Sequence, residues 1–370
     1  MSIMPKKKTK LQIAQEKVEN AIGIVNVTID QLGQHTSDLY DRLNHIQTLF
    51  DKIRNVPSEA RLQYSNLEKI RNNWKHQAEK IEQDYKAAAM KSAGGAVAGV
   101  GAGVAVAALG PTAAMGIATT FGVASTGTAI SALSGAAATN AALAWLGGGA
   151  LAVGGGGMAA GEAFLTLAGP VGWAIGAVAV IGSGLMVWKT KSDQKKLEAI
   201  YTLICERDTK SYDLATVELK ERIARIQHER SLLTEAIERI QSFGTNYDEM
   251  SEAQQYELGS YVNLMEASTQ LLVNPILGLQ PKFTPDDYEK FLLTLDTTLS
   301  PYFVQYKDLI ISLTNLFYKI DLNEKDEKLL VTSFKKNKEF LKTMNLKKEE
   351  IHRGLFQAVR WCLNYKYVHK

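Results

Sequence analysis

The chain has 370 residues, a formal net charge of +3 and two cysteines, Cys205 and Cys362. This length fits two or three domains, and so small a net charge indicates no particular class of partner. Two cysteines so far apart indicate neither a disulfide framework nor a cysteine metal site. Residues 1–10 are basic and lead into a charged amphipathic run, so we expect no secretory signal peptide and synthesis in the cytoplasm.

Positive charge is concentrated in two regions of the chain. The N-terminus carries Lys6, Lys7, Lys8 and Lys10, and residues 324–370 hold 12 Lys/Arg against 6 Asp/Glu. Both regions could contact anionic lipid or acidic protein, although solvated helix faces are the commoner explanation of such patterns.

The first predicted element is a long helix over residues 11–56. Its apolar side chains are spaced by three, four or seven residues, which is typical of a coiled coil or a long helical bundle. This seam consists of Leu11, Val18, Ile22, Val25, Ile29, Leu32, Leu39, Leu43, Ile46, Phe50 and Ile53. Pro57 should kink or restart the helix because proline lacks a backbone N–H. The pattern then resumes with Leu67, Ile70, Trp74, Ile81 and Tyr85.

The same spacing returns after Trp188. Arg230 occupies one position of this second seam, which otherwise consists of Leu219, Ile223, Ile226, Leu233, Ile237 and Ile240. Phe243-Gly244 predicts the end of the helix. The simplest packing pairs residues 11–90 with 189–243 as an antiparallel bundle, from one end of which the intervening segment projects.

Shorter helices are predicted for the rest of the chain, near residues 248–273, 285–299, 301–320, 324–344 and 347–367. Thr284-Pro285 and Ser300-Pro301 are typical helix starts, and no alternating strand pattern is present. The sequence therefore predicts an all-α fold, an elongated antiparallel helical bundle or coiled coil with an inserted Gly/Ala-rich hydrophobic head. We expect an N-terminal coiled-coil arm (1–91), the head (92–188), a return arm (189–244) and a small C-terminal helical region (245–370).

The head, which we call the apolar block, is the most unusual part of the sequence. Between Lys91 and Lys189 lie 97 residues with one ionisable side chain, Glu162, and 23 of the 29 glycines. Gly-Pro pairs and a glycine cluster divide the block into segments of about membrane-spanning length, 93–109, 112–134, 136–153 and 170–188. Two or four crossings fit, since both arms should lie on one side. Alternatively, small-residue helices of this kind pack permanently inside a water-soluble protein.

Glycines recur at every fourth position of the block. Gly95, Gly99 and Gly103 form one such run with Ala107, Gly127 and Gly135 form a second with Ser131 between them, and Gly172 and Gly176 repeat the spacing. On a helix this spacing leaves a smooth stripe, the glycine-zipper pattern along which helices associate in lipid. These seven glycines are therefore candidate helix–helix contacts in a membrane.

Four further residues of the block have two interpretations each. Glu162 is either a pore-lining carboxylate or a neighbour of a solvated hairpin tip. Trp145, Trp173 and Trp188 either mark the lipid–water interface or serve packing alone.

Catalysis is not indicated by any local pattern. No glycine cluster is followed by Lys-Ser or Lys-Thr, so no phosphate-binding loop is predicted. The six histidines have no metal-ligand spacing. We expect no enzymatic activity, no cofactor, no metal and no nucleic-acid partner.

The layout of residues 11–243, with long helical arms and an inserted hydrophobic head, resembles α-helical pore-forming toxins of the cytolysin A type. It is more loosely similar to apolipoprotein L and colicin pore domains. The resemblance implies a soluble form with a sheltered head that is later exposed and oligomerises in a membrane. The head is longer and richer in glycine here, and residues 245–370 have no counterpart in that group.

Two functions from different classes are therefore expected. The first is a pore-forming or membrane-permeabilising effector whose partners are a lipid bilayer and further copies of itself, or a second protein component. The alternative is a non-lytic, membrane-anchored coiled-coil scaffold that recruits partner proteins.

Overall fold

The computed structural model describes residues 8–93, 190–274, 276–279, 283, 285–295, 300–336, 341 and 346–369. These parts of the chain form helices and contain no strand, which confirms the all-α class. The described helices are α1 (Lys10–Lys52), α2 (Ser58–Ala93), α3 (Lys191–Gln241), α4 (Glu252–Val273), α5 (Pro285–Leu292), α6 (Ser300–Gln305), α7 (Lys307–Leu316), α8 (Glu324–Lys336) and α9 (Arg353–Val368).

Three of the long helices begin at a side-chain cap. Thr9 and Ser251 each accept a hydrogen bond from the backbone N–H three residues later, and the glutamines there bond back in a reciprocal capping box. Thr190 accepts from the Asp193 N–H at the start of α3. Such caps satisfy backbone donors that have no partner within the helix.

The predicted seams form the core of the long helices. All eleven apolar seam residues of α1 are buried, and so are the six of α3. At the remaining seam position, Arg230 is half-buried and pairs with Asp38 of α1, with Nη1 and Oδ2 2.7 Å apart. The spacing of three and four therefore identified the buried face correctly.

The pairing of α1 with α3 is parallel, so the predicted antiparallel pairing of residues 11–90 with 189–243 is wrong for these two helices. Gln227 Nε2 lies 3.1 Å from His35 Nε2, and Arg230 pairs with Asp38, so both contacts join residues 192 apart in the chain. At the far end, the Arg54 N–H donates to the Thr245 carbonyl at 2.9 Å. A constant offset in sequence is the geometry of two helices running side by side in one direction.

The chain reverses between α1 and α2, which explains the parallel pairing. Asn55 has a φ of 63°, and α2 starts directly after Pro57. Phe50 then packs on Tyr64, with ring centroids 5.2 Å apart, and Tyr40 on Trp74 at 5.8 Å. Pro57 therefore separates two antiparallel helices of a hairpin, and α3 returns in the direction of α1.

Helix α4 completes the packing around α3. Ser268 donates to Glu229 at 2.8 Å, and Arg239 donates from Nε to Glu257 at 3.0 Å. Since these contacts pair later residues of α4 with earlier residues of α3, the two helices are antiparallel. Gly244, with a φ of +82°, lies in the turn between them, as the predicted helix end requires.

The described residues from Phe283 to His369, called the C-terminal region from here on, build a second, aromatic part of the core. Phe317, Phe334 and Phe356 contact one another with centroids 5.8 to 6.5 Å apart. Helices begin at Ser300 and Pro285, as predicted, but the helix expected over 301–320 is divided into α6 and α7. This C-terminal region packs on the first half of α3.

Candidate functional site at the base of α3

The site residues predicted from the sequence all fall between Ala93 and Thr190, outside the described residues. They are Gly95, Gly99, Gly103, Gly127, Gly135, Gly172, Gly176, Trp145, Glu162, Trp173 and Trp188. Their predicted roles stay predictions. The structure does describe the helices on both sides of the apolar block, because α2 ends at Ala93 and α3 begins at Lys191.

Helices α1 and α3 begin at the same end of the bundle because they run parallel. At the offset of 192, Lys10 is level with residue 202 of α3, so α3 begins 11 residues further out. That distance is about 16 Å along a helix. We call this end, residues 8–18 and 190–212, the base of the bundle. The apolar block rejoins the described chain there.

Arg207 joins the base to the C-terminal region. Its Nη1 donates to the carbonyls of Leu316 at 2.6 Å and of Tyr318 at 2.7 Å. These carbonyls lie at and beyond the last turn of α7, where backbone acceptors lack partners within the helix. A guanidinium at that position satisfies them and is attracted by the negative end of the helix dipole. Arg207 therefore acts as a C-terminal cap supplied by another helix.

Asp208 pairs with this arginine, although burial of its carboxyl group costs free energy. It accepts from Arg207 Nε at 2.9 Å and from Nη2 at 2.6 Å, both at Oδ1. The carboxyl is buried, and Oδ2 has no hydrogen-bond partner. Burial raises the pKa of Asp208, and the charge of Arg207 offsets only part of that effect.

A second polar contact ties the base to α8. Tyr201 Oη and Ser333 Oγ lie 3.1 Å apart, and both residues are buried. Burial raises the pKa of Tyr201 to about 12, so the phenol stays neutral and serves as a hydrogen-bonding group. The neighbouring thiol of Cys205 is also buried, with a pKa raised to about 12, and is therefore protonated and unreactive at neutral pH.

Arg222 repeats the capping arrangement four turns along α3. Its Nη1 donates to the Leu271 carbonyl and, at 3.1 Å, to the Asn274 carbonyl at the end of α4. Burial lowers the pKa of Arg222. Two arginines of α3 thus cap two helices that pack against it, and both interfaces depend on the same helix.

A buried arginine lies between α1, α2 and α4. Arg71 is fully buried and donates to Gln47 Oε1 at 2.9 Å and Thr269 Oγ1 at 3.3 Å, while its Nε has no partner. Burial lowers its pKa to about 10. The guanidinium stays charged at neutral pH without a directly bonded carboxylate, an arrangement that costs free energy.

The sequence predictions missed this residue. Ile70 was expected in the seam of α2 but is only partly buried, whereas Arg71 occupies the buried position between Leu67 and Trp74. Arg71 lies four residues after Leu67 and three before Trp74, so the seam spacing alone would have identified it. A seam is, however, assigned from apolar residues, which favours Ile70 over Arg71.

The described residues offer no metal-binding arrangement. They contain no group of three His, Cys, Asp or Glu side chains that could hold a metal ion. None of the described helices is both long and apolar enough to cross a membrane. A small number of buried polar contacts at the base hold the C-terminal region against α3.

Comparison with known proteins gave no match: no family model, curated protein or solved structure is similar to this chain.

Proposed function

We propose that this protein is a membrane-inserting, pore-forming or membrane-permeabilising effector that changes from a soluble form to a membrane-bound oligomer. The observation that carries the proposal is the run of 97 residues with Glu162 as its one ionisable group. A run of this length exceeds a single bilayer crossing several-fold. Its low content of large apolar residues suits a segment that can be sheltered first and inserted later.

The described helices support a long scaffold at one end of that run. Helices α1 and α3 have 43 and 51 residues, or about 65 and 77 Å at the usual rise. We infer an elongated, coiled-coil-like bundle in which α1 and α3 are parallel and α2 returns antiparallel to α1. The apolar block would then extend from the base of this bundle.

In the proposed mechanism the C-terminal region keeps the base closed until a trigger releases it. Burial of the apolar block in lipid supplies the driving force, and the stripe of Gly95, Gly99 and Gly103 brings helices of neighbouring copies together. The trigger would bind the open form better than the closed one, since a ligand shifts an equilibrium only by its difference in affinity.

Dye release from liposomes tests the proposal. Folded full-length protein should release a trapped dye and form a discrete oligomer, and Gly99→Leu should abolish both while leaving helix content unchanged. Gly259→Leu in α4 is the matched control, because no atom lies within 4 Å of a Cβ added there. Absence of leakage at every lipid composition, from protein shown to be folded, would refute the proposal.

The lengths of α1 and α3 also suit the second function, a non-lytic membrane-anchored scaffold. In that case the protein would partition with membranes at all times and would cause no leakage. Purification without detergent as a monodisperse species would exclude the scaffold.

A further inference from the structure

Three basic segments that are distant in sequence lie close to the base of the bundle. They precede or begin α1, begin α3, and end α8. Their lysines are exposed, and we call them the lysine collar: Lys8, Lys10, Lys191, Lys195, Lys196, Lys335 and Lys336. Within these three short segments the one carboxylate is Asp193.

The parallel pairing of α1 and α3 brings the first two segments together. At the offset of 192, Lys196 lies six residues beyond the level of Lys10, and Lys191 lies 11 residues beyond it. Along a helix these separations are about 9 and 16 Å. An antiparallel pairing would have put the two segments at opposite ends of the bundle.

The third segment is fixed by the contact between α3 and α8. Lys335 and Lys336 follow Ser333, whose hydroxyl lies 3.1 Å from the hydroxyl of Tyr201. Tyr201 is five residues from Lys196, or about 8 Å along α3. The end of α8 therefore adds its two lysines to the same end of the molecule.

Helix stability does not account for the lysines on α1 and α3. Lys10 and Lys191 are the first residues of their helices, where the positive end of the helix dipole disfavours cations. Lys8 pairs with Glu16, whereas in the described part of the chain Lys10, Lys191, Lys195 and Lys196 have no ion pair with a carboxylate. Lys335 and Lys336, at the end of α8, are placed favourably for their own helix.

We propose that the lysine collar binds anionic lipid head groups and thereby sets the base of the bundle against the membrane surface. This inference rests on the proposed function, because the apolar block rejoins the chain at Thr190, one residue before Lys191. A bilayer that takes up the block would bring its head groups to the collar. Exposed lysines near an anionic surface add to binding one by one, and the attraction falls off within a Debye length.

Vesicle co-sedimentation of the full-length protein measures this binding. The probes are vesicles of phosphatidylcholine alone and of phosphatidylcholine mixed with phosphatidylglycerol, at about 0.1 M salt. The collar variant is Lys191→Gln/Lys195→Gln/Lys196→Gln. Its matched control, Lys52→Gln/Lys69→Gln/Lys220→Gln, removes the same charge from exposed positions away from the base.

The collar variant should bind anionic vesicles roughly 100-fold more weakly, since each lysine contributes roughly fivefold. The control variant should bind as the parent does, and all three proteins should bind neutral vesicles equally. Equal loss in both variants, or no loss in the collar variant, would overturn the inference. Competition with a mixed-sequence DNA duplex is a further test. If the duplex displaces the parent from anionic vesicles as effectively as free anionic lipid does, the inference is overturned, because the collar would then bind polyanions in general.

Dye release in the same samples separates this inference from the proposed function. Vesicle binding that depends on the collar, without dye release, would support lipid binding by the collar and refute the pore-forming function. Leakage that is equal for the parent and the collar variant on anionic vesicles leaves the pore standing and refutes the collar.

Discussion

Replacement of Arg207 by methionine tests whether this side chain holds the C-terminal region on α3. The variant loses two hydrogen bonds to the carbonyls of Leu316 and Tyr318 and leaves Asp208 buried without its partner. Removal of one member of a buried ion pair typically costs 3–5 kcal/mol. Arg207 keeps 16% of its side-chain surface exposed, so the lower end of that range, about 3 kcal/mol, is expected.

Hydrogen–deuterium exchange reports this loss region by region. A loss of about 3 kcal/mol raises the population of the open C-terminal region roughly 100-fold. Peptides from residues 307–336 and 353–369 should therefore exchange roughly 100-fold faster in Arg207→Met than in the parent. Peptides from α1 should keep the parental rate and serve as the internal reference.

Arg222→Met is the matched control, because it removes the equivalent cap from α4. It should accelerate exchange in residues 252–273 and leave the C-terminal region unchanged. Parental exchange rates at 307–336 in Arg207→Met would refute the holding role of Arg207. Equal acceleration in α1 would show that the C-terminal region opens only when the whole molecule unfolds.

Three further predictions have directions fixed by the structure. Because burial raises the pKa of Asp208 in the folded state, its protonated form stabilises the fold, and this stability is lost as pH rises through that pKa. Asp208→Asn should abolish this pH dependence of the free energy of unfolding, measured in urea. Parent and variant free energies that change in parallel from pH 7 to pH 4 would contradict the prediction. Arg71→Met with Gln47→Leu should raise the free energy of unfolding by about 1–3 kcal/mol, since it replaces a buried charge by apolar atoms, and a lower midpoint in urea would contradict this. Leu43→Asp, at a fully buried seam position, should lower the free energy of unfolding by about 3–5 kcal/mol, whereas Ile24→Asp on the exposed face of α1 should leave it unchanged; equal urea midpoints for the two variants would contradict the assignment of the seam.

The seams could be predicted because burial along a helix depends on local spacing. Each apolar residue of the α1 seam is buried, and the helix starts at Pro285 and Ser300 follow from capping chemistry. The direction of pairing could not be predicted in this way, because the same seam serves a parallel and an antiparallel partner. It depends on the hairpin at Pro57, where the sequence predicted a kink or a restart of the helix and not a reversal of the chain.

The polar contacts of the base could not be predicted from the sequence either. Arg207 and Asp208 are adjacent in a helix rich in charge, and nothing local distinguishes them from solvated residues. Their role depends on where α7 ends in space, which is a matter of tertiary packing. Arg71 differs, since its position between Leu67 and Trp74 on the seam is visible in the sequence alone.

The magnitudes indicate which interface a trigger can open. Separation of α1 from α3 would expose a full seam of buried apolar side chains at about 1.5–3 kcal/mol each, a total in the tens of kcal/mol. A ligand that shifts an equilibrium from 1:99 to 99:1 supplies only about 5.5 kcal/mol. The junction of α3 with the C-terminal region is much smaller than the α1–α3 interface, and its polar contacts at Arg207 and Tyr201 add a few kcal/mol to its apolar contacts. We therefore expect release of the apolar block to begin at the junction of α3 with the C-terminal region, with the paired long helices kept intact.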